Sequence, residues 1–164
     1  MTEQIVDGGS VPTGVLLVNL GTPESPSPAD VRRYLKEFLW DSRVVELPRP
    51  LWWLVLNLVI LNTRPRRSAK AYAKVWTDAG SPRMVISRQQ HAALQAALEQ
   101  QPGTPVKVVL AMRYGKPSIA AGMQELRAAG VKRLLVLPLY PQYSATTTAT
   151  IVDAVADELR RWRV

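Results

Sequence analysis

Gly14-Val-Leu-Leu-Val-Asn-Leu20 is an almost unbroken apolar run, fenced by Thr13 in front and Gly21-Thr-Pro23 behind. A strand with one wet face alternates apolar and polar residues. A continuous run of this length suits a strand covered on both faces, which is the signature of a parallel sheet. Val106-Lys-Val-Val-Leu-Ala-Met112 and Arg133-Leu-Leu-Val-Leu-Pro-Leu139 have the same character. Helical patterns lie between them. Strands alternating with helices at this spacing predict an α/β fold, a doubly wound parallel sheet flanked by helices.

Outward from the first run, Pro28 suits a first helical position. Val31, Tyr34, Leu35 and Phe38 then share one helical face. Val44-Val-Glu-Leu47 reads as a short second strand, stopped by Pro48 and Pro50. Leu51 to Leu61 is apolar all round, and a helix from about Pro65 to Thr77 carries a basic cluster. Ser87 with Gln90 has the form of a capping box, opening a helix to about Gln100. A further helix runs from Pro117 to about Ala129, closed by Gly130, and a last one starts near Thr148. Its stripe of Ile151, Val155, Leu159 and Trp162 stops at Val164 with no cap or polar tail, so the chain is expected to continue. Residues 1–13 are polar with Gly, Ser and Pro and read as a flexible leader, leaving 14–164 as one domain.

Composition narrows the classes. With 164 residues, 47% hydrophobic and 21% charged, this is an ordinary globular chain. The absence of cysteine excludes disulfides, zinc–thiolate sites and a cysteine-ligated iron–sulfur cluster within these residues. One histidine, His91, excludes a His-rich metal site. A formal charge of +8 favours anionic partners. Its positive groups gather at Arg64, Arg66, Arg67, Lys70 and Lys74, and at Arg160, Arg161 and Arg163. No signal peptide is visible, and the 11-residue apolar run at 51–61 falls short of the ~20 that a membrane span needs.

In an open parallel sheet, ligands bind beyond the carboxyl ends of the strands. Three unusual loops leave that predicted edge: "NLGTPESP" (19–26), "AMRYGKPS" (111–118) and "LPLYPQYSATTT" (137–148). They contain neither G-x-G-x-x-G nor a phosphate-binding Lys-Ser/Thr loop, and the chain has no G-x-S-x-G elbow. Arg113 with Tyr114 reads either as an anion clamp beside a stacking ring or as a surface arginine with a half-buried tyrosine. Tyr140 and Tyr143 read as ligand wall or as aromatic lids on the sheet edge. Ser144 and Thr146 to Thr148 offer hydroxyls to a ligand or cap the next helix. His91, early in an amphipathic helix without an acidic partner, is assigned no catalytic role. A nucleic-acid reading rests on charge alone, with no recognised module.

Taken in order, "VLLVNLGTPESP", "GSPRMVISRQQ" (80–90), "AMRYGKPSI" (111–119) and "LPLYPQYSATTTAT" (137–150) resemble the ferrochelatase family, in the style of its proteobacterial members. The resemblance implies a chelatase-like α/β domain, the first of two similar halves with a porphyrin between them. It also implies insertion of Fe²⁺ into protoporphyrin IX, giving protoheme and two protons. Ferrous iron and protoporphyrin IX are then substrates, with no bound cofactor and no nucleic-acid partner. The histidine and glutamate that the family uses for proton abstraction and metal handling lie in the second half. No residue here is therefore assigned as catalytic or metal-ligating, and a chain ending at Val164 is expected to lack turnover.

Carried over, Asn19 and Leu20 would face the macrocycle, with Arg64 and Ser81 near the propionates and Arg66 or Arg67 as rivals to Arg64. Arg113 and Tyr114 would form the inner wall, and Tyr140, Tyr143 and Ser144 would add ring faces and hydroxyls. The 51–61 segment resembles a lip that meets the membrane, so a cytoplasmic protein with peripheral membrane contact is expected. Lys116 and Arg83 stand where the family usually has asparagine and an aliphatic residue. The alternative is a non-enzymatic tetrapyrrole-binding or membrane-peripheral module.

Overall fold

Thr13–Gly21 (β1), Val106–Tyr114 (β2) and Arg133–Pro138 (β3) form a parallel sheet in the order β2-β1-β3. This is a computed structural model, and it describes residues 11–103 and 105–162. Of the leader expected over 1–13, residues 1–10 lie outside the described residues. The Pro12 carbonyl accepts the Lys132 and Arg133 amides at 2.8 and 3.1 Å, and Thr13 already pairs with Val106 and Arg133.

The central strand is covered on both sides, as its unbroken apolar run requires. Leu16 and Val18 point to the face packed by Ile119–Ala128 (α5) and Thr150–Arg161 (α6). That core also holds Val109, Ala111, Met123, Ile151 and Val155. Val15 and Leu17 point the other way, to Leu94 and Leu98 of Pro82–Glu99 (α4). Full burial of side chains such as Leu16, at 0% exposure, contributes about 1.5–3 kcal/mol each.

The outer edge of β2 is occupied by side chains rather than by another strand. The Gln95 amide donates to the Val106 carbonyl at 3.1 Å and accepts the Val108 amide at 2.7 Å. His91 Nε2 lies 3.1 Å from the Val108 carbonyl, and the Met112 amide reaches the Pro117 carbonyl at 2.6 Å. His91 is thereby a half-buried edge residue, away from the carboxyl ends of the strands.

Several local expectations are corrected. Val44–Leu47 is not a strand: the Asp41 carbonyl accepts both the Val44 and Val45 amides, which closes the chain into a turn. The helix expected from Pro65 begins much earlier. Arg49–Leu54 (α2), a π-helical stretch Val55–Ile60 and Leu61–Val75 (α3) run on without a break, with Pro65 inside. Proline cannot donate to the carbonyl four residues back. Arg32, from Pro28–Trp40 (α1), supplies that missing donor to the Leu61 carbonyl and also reaches Asn62 Oδ1 at 3.0 Å. Asn62 and Thr63 side chains satisfy the carbonyls of Asn57, Leu58 and Val59 around the π-helical turn.

The 51–61 segment is one-sided, not apolar core all round. Trp52, Leu56 and Leu61 are buried against Leu35 and Leu39 of α1, whereas Leu51, Trp53, Leu54, Leu58 and Val59 are exposed. Helix α4 starts at Pro82 with Ser81 in the cap position, so Ser87 is an interior, fully buried residue and not a cap. Ser118 caps α5 by accepting the Ala121 amide, which moves that start from Pro117 to Ile119. Ser144 and Thr147 form a reciprocal cap on the π-helical turn Ala145–Ala149 that leads into α6. No helix among the described residues is long and apolar enough to cross a membrane.

Candidate functional site

All three strands are parallel, so their carboxyl ends open on one edge. Gly21 and Tyr114 are paired there. Gly21 adopts φ +108°, and a Cβ on it would stand 1.8 Å from the Tyr114 carbonyl oxygen. Only glycine lets β1 leave the sheet this close to β2. The chain then passes Thr22, whose hydroxyl donates to the Ser81 hydroxyl at 2.9 Å in a buried pair.

Asn19 follows Val15 and Leu17 on the face toward α4. Its amide nitrogen donates to the buried Ser87 hydroxyl at 3.0 Å, and its oxygen accepts the Leu20 amide at 2.8 Å. The side chain is thus held at both ends. Arg83, from the first turn of α4, brings a guanidinium nitrogen to 3.5 Å from the same oxygen.

Asp41 is the hub of the inner wall. Its carboxylate accepts Arg113 Nη2 at 2.6 Å, the Tyr114 hydroxyl at 2.8 Å and the Arg43 amide at 2.8 Å. The Asp41 side chain is 8% exposed and that of Arg113 is 19% exposed. The Arg113 guanidinium lies over the Tyr114 ring at 4.6 Å from its centroid, and Phe38 meets that ring edge-on at 5.1 Å. Burial first, and then the hydrogen bond to Asp41, push the Tyr114 phenol well above its ordinary range. Glu37 accepts the Gly115 amide at 2.9 Å. Desolvation raises its carboxyl, while that amide and the Arg113 charge pull it back.

Tyr140 completes the edge from the β3 side, packed against the core formed with α5 and α6. Its hydroxyl and Arg113 Nε are buried polar atoms without a hydrogen-bond partner among the described residues. Burial raises the Tyr140 phenol, and the charges of Arg83 and Arg113 oppose the rise. Tyr34 and Tyr72 feel Arg83 in the same way, with burial again the larger influence. Three phenols and two guanidinium groups therefore share one electrostatic neighbourhood, together with the Asn19 amide. Such an edge offers ring faces, hydroxyls and positive charge to a flat ligand with acidic substituents.

The sequence-derived residues divide. Asn19, Leu20, Arg113, Tyr114 and Tyr140 converge at the strand ends. Arg113 and Tyr114 close β2 itself instead of following it in a loop. Ser81 is at the same edge, with its hydroxyl engaged by Thr22 and only 5% exposure. Ser144 spends its side chain on the turn before α6, Tyr143 is 75% exposed, and Arg64 is an exposed residue early in α3. The sequence reading missed Asp41, Thr22, Tyr34 and Tyr72. Asp41 follows the helix sequence Phe-Leu-Trp with no motif around it, so only the folded chain reveals its partners.

Comparison with known proteins identifies the family. The family model described as ferrochelatase matches residues 12–164. The ferrochelatase of Thioalkalivibrio sulfidiphilus is 60% identical over 150 residues, which is 92% of this chain and 41% of that protein. The ferrochelatase of Marinobacter nauticus is 54% identical over 151 residues, covering 91% of this chain and 41% of that protein. Ferrochelatase 2 of Shewanella oneidensis is 55% identical over 150 residues, 92% of this chain and 46% of that protein. The chain thus spans less than half the length of these relatives. The family model spans nearly the whole chain and these relatives are identical to it at more than half of the aligned residues, so the chain belongs to the ferrochelatase family.

Proposed function

We propose that this chain forms the porphyrin-binding half of an enzyme that inserts Fe²⁺ into protoporphyrin IX, releasing two protons and giving protoheme. The observation that carries this reading is the convergence of Asn19, Arg113, Tyr114 and Tyr140 at the carboxyl edge of the sheet. The relatives that share these segments are named ferrochelatase. In this reading Leu20 and the Tyr140 ring wall the macrocycle, with the fully buried Tyr114 backing Arg113 from beneath. Ser81, Ser144 and Tyr143 lie around the rim, and one of Arg64, Arg66 and Arg67 meets a propionate. Iron enters as substrate, and the groups that accept the pyrrole protons come from the remainder of the protein.

The test is anaerobic addition of Fe²⁺ to the full-length protein with protoporphyrin IX, following loss of porphyrin fluorescence. Saturable binding followed by metal insertion is expected. Saturable porphyrin binding without insertion would leave only the non-enzymatic tetrapyrrole module. No binding would remove both.

The finer location belongs to the same proposal: a cytoplasmic protein that touches the membrane through 51–61. Leu51, Trp53, Leu54, Leu58 and Val59 present an exposed apolar face, and Arg64, Arg66, Arg67, Lys70 and Lys74 follow on α3. An apolar face beside basic residues suits an anionic lipid interface. Sedimentation with vesicles containing phosphatidylserine should fall several-fold for Leu58→Asp, and equal sedimentation of both proteins would defeat the reading.

A further inference from the structure

Among the described residues, Arg83 is a cation at this edge that the fold leaves without an ion pair. Arg113 is paired with Asp41, Lys116 with Glu24 and Arg43 with Asp153. Arg83 makes no ion pair among the described residues. Among the described residues its hydrogen-bonding contact is the 3.5 Å approach to Asn19 Oδ1, an atom already taken by the Leu20 amide at 2.8 Å. A guanidinium carries five donors in a planar fork that matches a carboxylate, so most of that capacity is left open.

Its setting is equally particular. The residue projects from the first turn of α4, beside the end of the central strand, and its charge is felt by the phenols of Tyr34, Tyr72 and Tyr140. Burial holds Tyr34, Tyr72 and Tyr140 in their neutral form, so none offers a counter-charge. A salt bridge within the protein would hold this side chain for structural reasons. Here the hydrogen bond found among the described residues goes to an amide oxygen.

We propose that Arg83 is a carboxylate-binding residue of the cleft and makes the site selective for a macrocycle bearing a free carboxylate on the α4 side of β1. This rests on the porphyrin reading given above and adds a contact to it. A charge-assisted pair between this fork and a ligand carboxylate selects the free acid over its ester, in which the charge is gone and the acceptors are weaker. The side chain is exposed, so water and salt reach the pair and limit its strength.

The experiment measures dissociation constants of the full-length protein for protoporphyrin IX and for its dimethyl ester, in the same detergent, by porphyrin fluorescence. Wild type is compared with Arg83→Leu and Arg83→Lys. The leucine variant should bind the free acid about 5- to 20-fold more weakly, with less than a twofold change for the ester. The lysine variant should fall between, since it keeps the charge and loses the fork. Added salt should erode the free-acid preference of wild type and leave that of Arg83→Leu flat. Unchanged free-acid binding by the leucine variant, or an equal loss for both ligands, overturns the assignment. Wild type that binds neither porphyrin overturns the porphyrin reading itself, and this contact with it. Position 83 lies on the exposed face of a helix, so unaltered circular dichroism is expected for both variants.

Discussion

Replacing Asp41 by alanine removes one carboxylate and the three hydrogen bonds it accepts, from Arg113, Tyr114 and the Arg43 amide. Two consequences set the size of the effect. The Tyr114 residue is 0% exposed, so its hydroxyl has no water to turn to. A buried donor left unsatisfied costs about 1–3 kcal/mol. Breaking a fully buried ion pair costs about 3–5 kcal/mol, but the 19% exposure of the Arg113 side chain lets solvent recover part of that. Asp41→Ala should therefore destabilise by about 3 kcal/mol. Asp41→Asn, which keeps one acceptor oxygen and loses the charge, should cost about half as much.

For a chain of 164 residues, 3 kcal/mol lowers the melting temperature by roughly 6–12 °C. Urea unfolding followed by tryptophan fluorescence reads the change directly, with an unaltered slope expected because the surface exposed on unfolding is the same. A double-mutant cycle with Arg113→Leu isolates the pair, and a coupling of about 1–3 kcal/mol is expected. A loss below about 0.5 kcal/mol for Asp41→Ala, or a coupling near zero, would refute the view that one carboxylate anchors the inner wall.

Two further outcomes follow from local geometry. Gly21→Ala should cost about 3 kcal/mol or more, because the new Cβ meets the Tyr114 carbonyl at a φ that side chains rarely adopt; thermal unfolding indistinguishable from wild type would show that the β1–β2 exit relaxes freely. The Asp153 carboxyl is held below its usual range, chiefly by its hydrogen bonds from Arg43. A depressed folded pKa means stability that is present above the unfolded value of about 4 and lost as pH falls through the folded one. The stability difference between wild type and Asp153→Asn should thus be visible at neutral pH and shrink toward pH 3, and a difference that grows on acidification would contradict the pairing.

The sheet was legible because Gly14–Leu20, Val106–Met112 and Leu134–Leu137 are apolar runs that need no distant residue to be read as strands. On β3, however, only one face is covered, and Leu135 and Leu137 are exposed. The errors arose where a distant group decides the local form. Nothing near Pro65 in sequence announces that Arg32 will satisfy the Leu61 carbonyl, so the proline was read as a helix start. Ser87 and Gln90 have capping spacing, yet Ser81-Pro82 six residues earlier opens the helix, and Ser87 is drawn inward to Asn19. Val44 and Val45 have strand propensity, which the turn at Asp41 overrides. The candidate site divides along the same line. Strand ends point to their own loops, so Asn19, Arg113 and Tyr140 could be picked out. Asp41 is separated from Arg113 and Tyr114 by 72 and 73 positions, a distance that no pattern within a window bridges.

The Gln95 and His91 contacts on β2 also decide where this sheet has room to grow. An incoming strand docks by matching a row of open amides and carbonyls. Along β2 the Val106 carbonyl, both Val108 groups and the Met112 amide already have partners, so the open row is interrupted. At the other margin, Leu135 and Leu137 of β3 are 54% and 39% exposed. The sheet is in effect handed: one margin is guarded by its own helix against stray pairing, and lateral extension, native or pathological, is easier at β3.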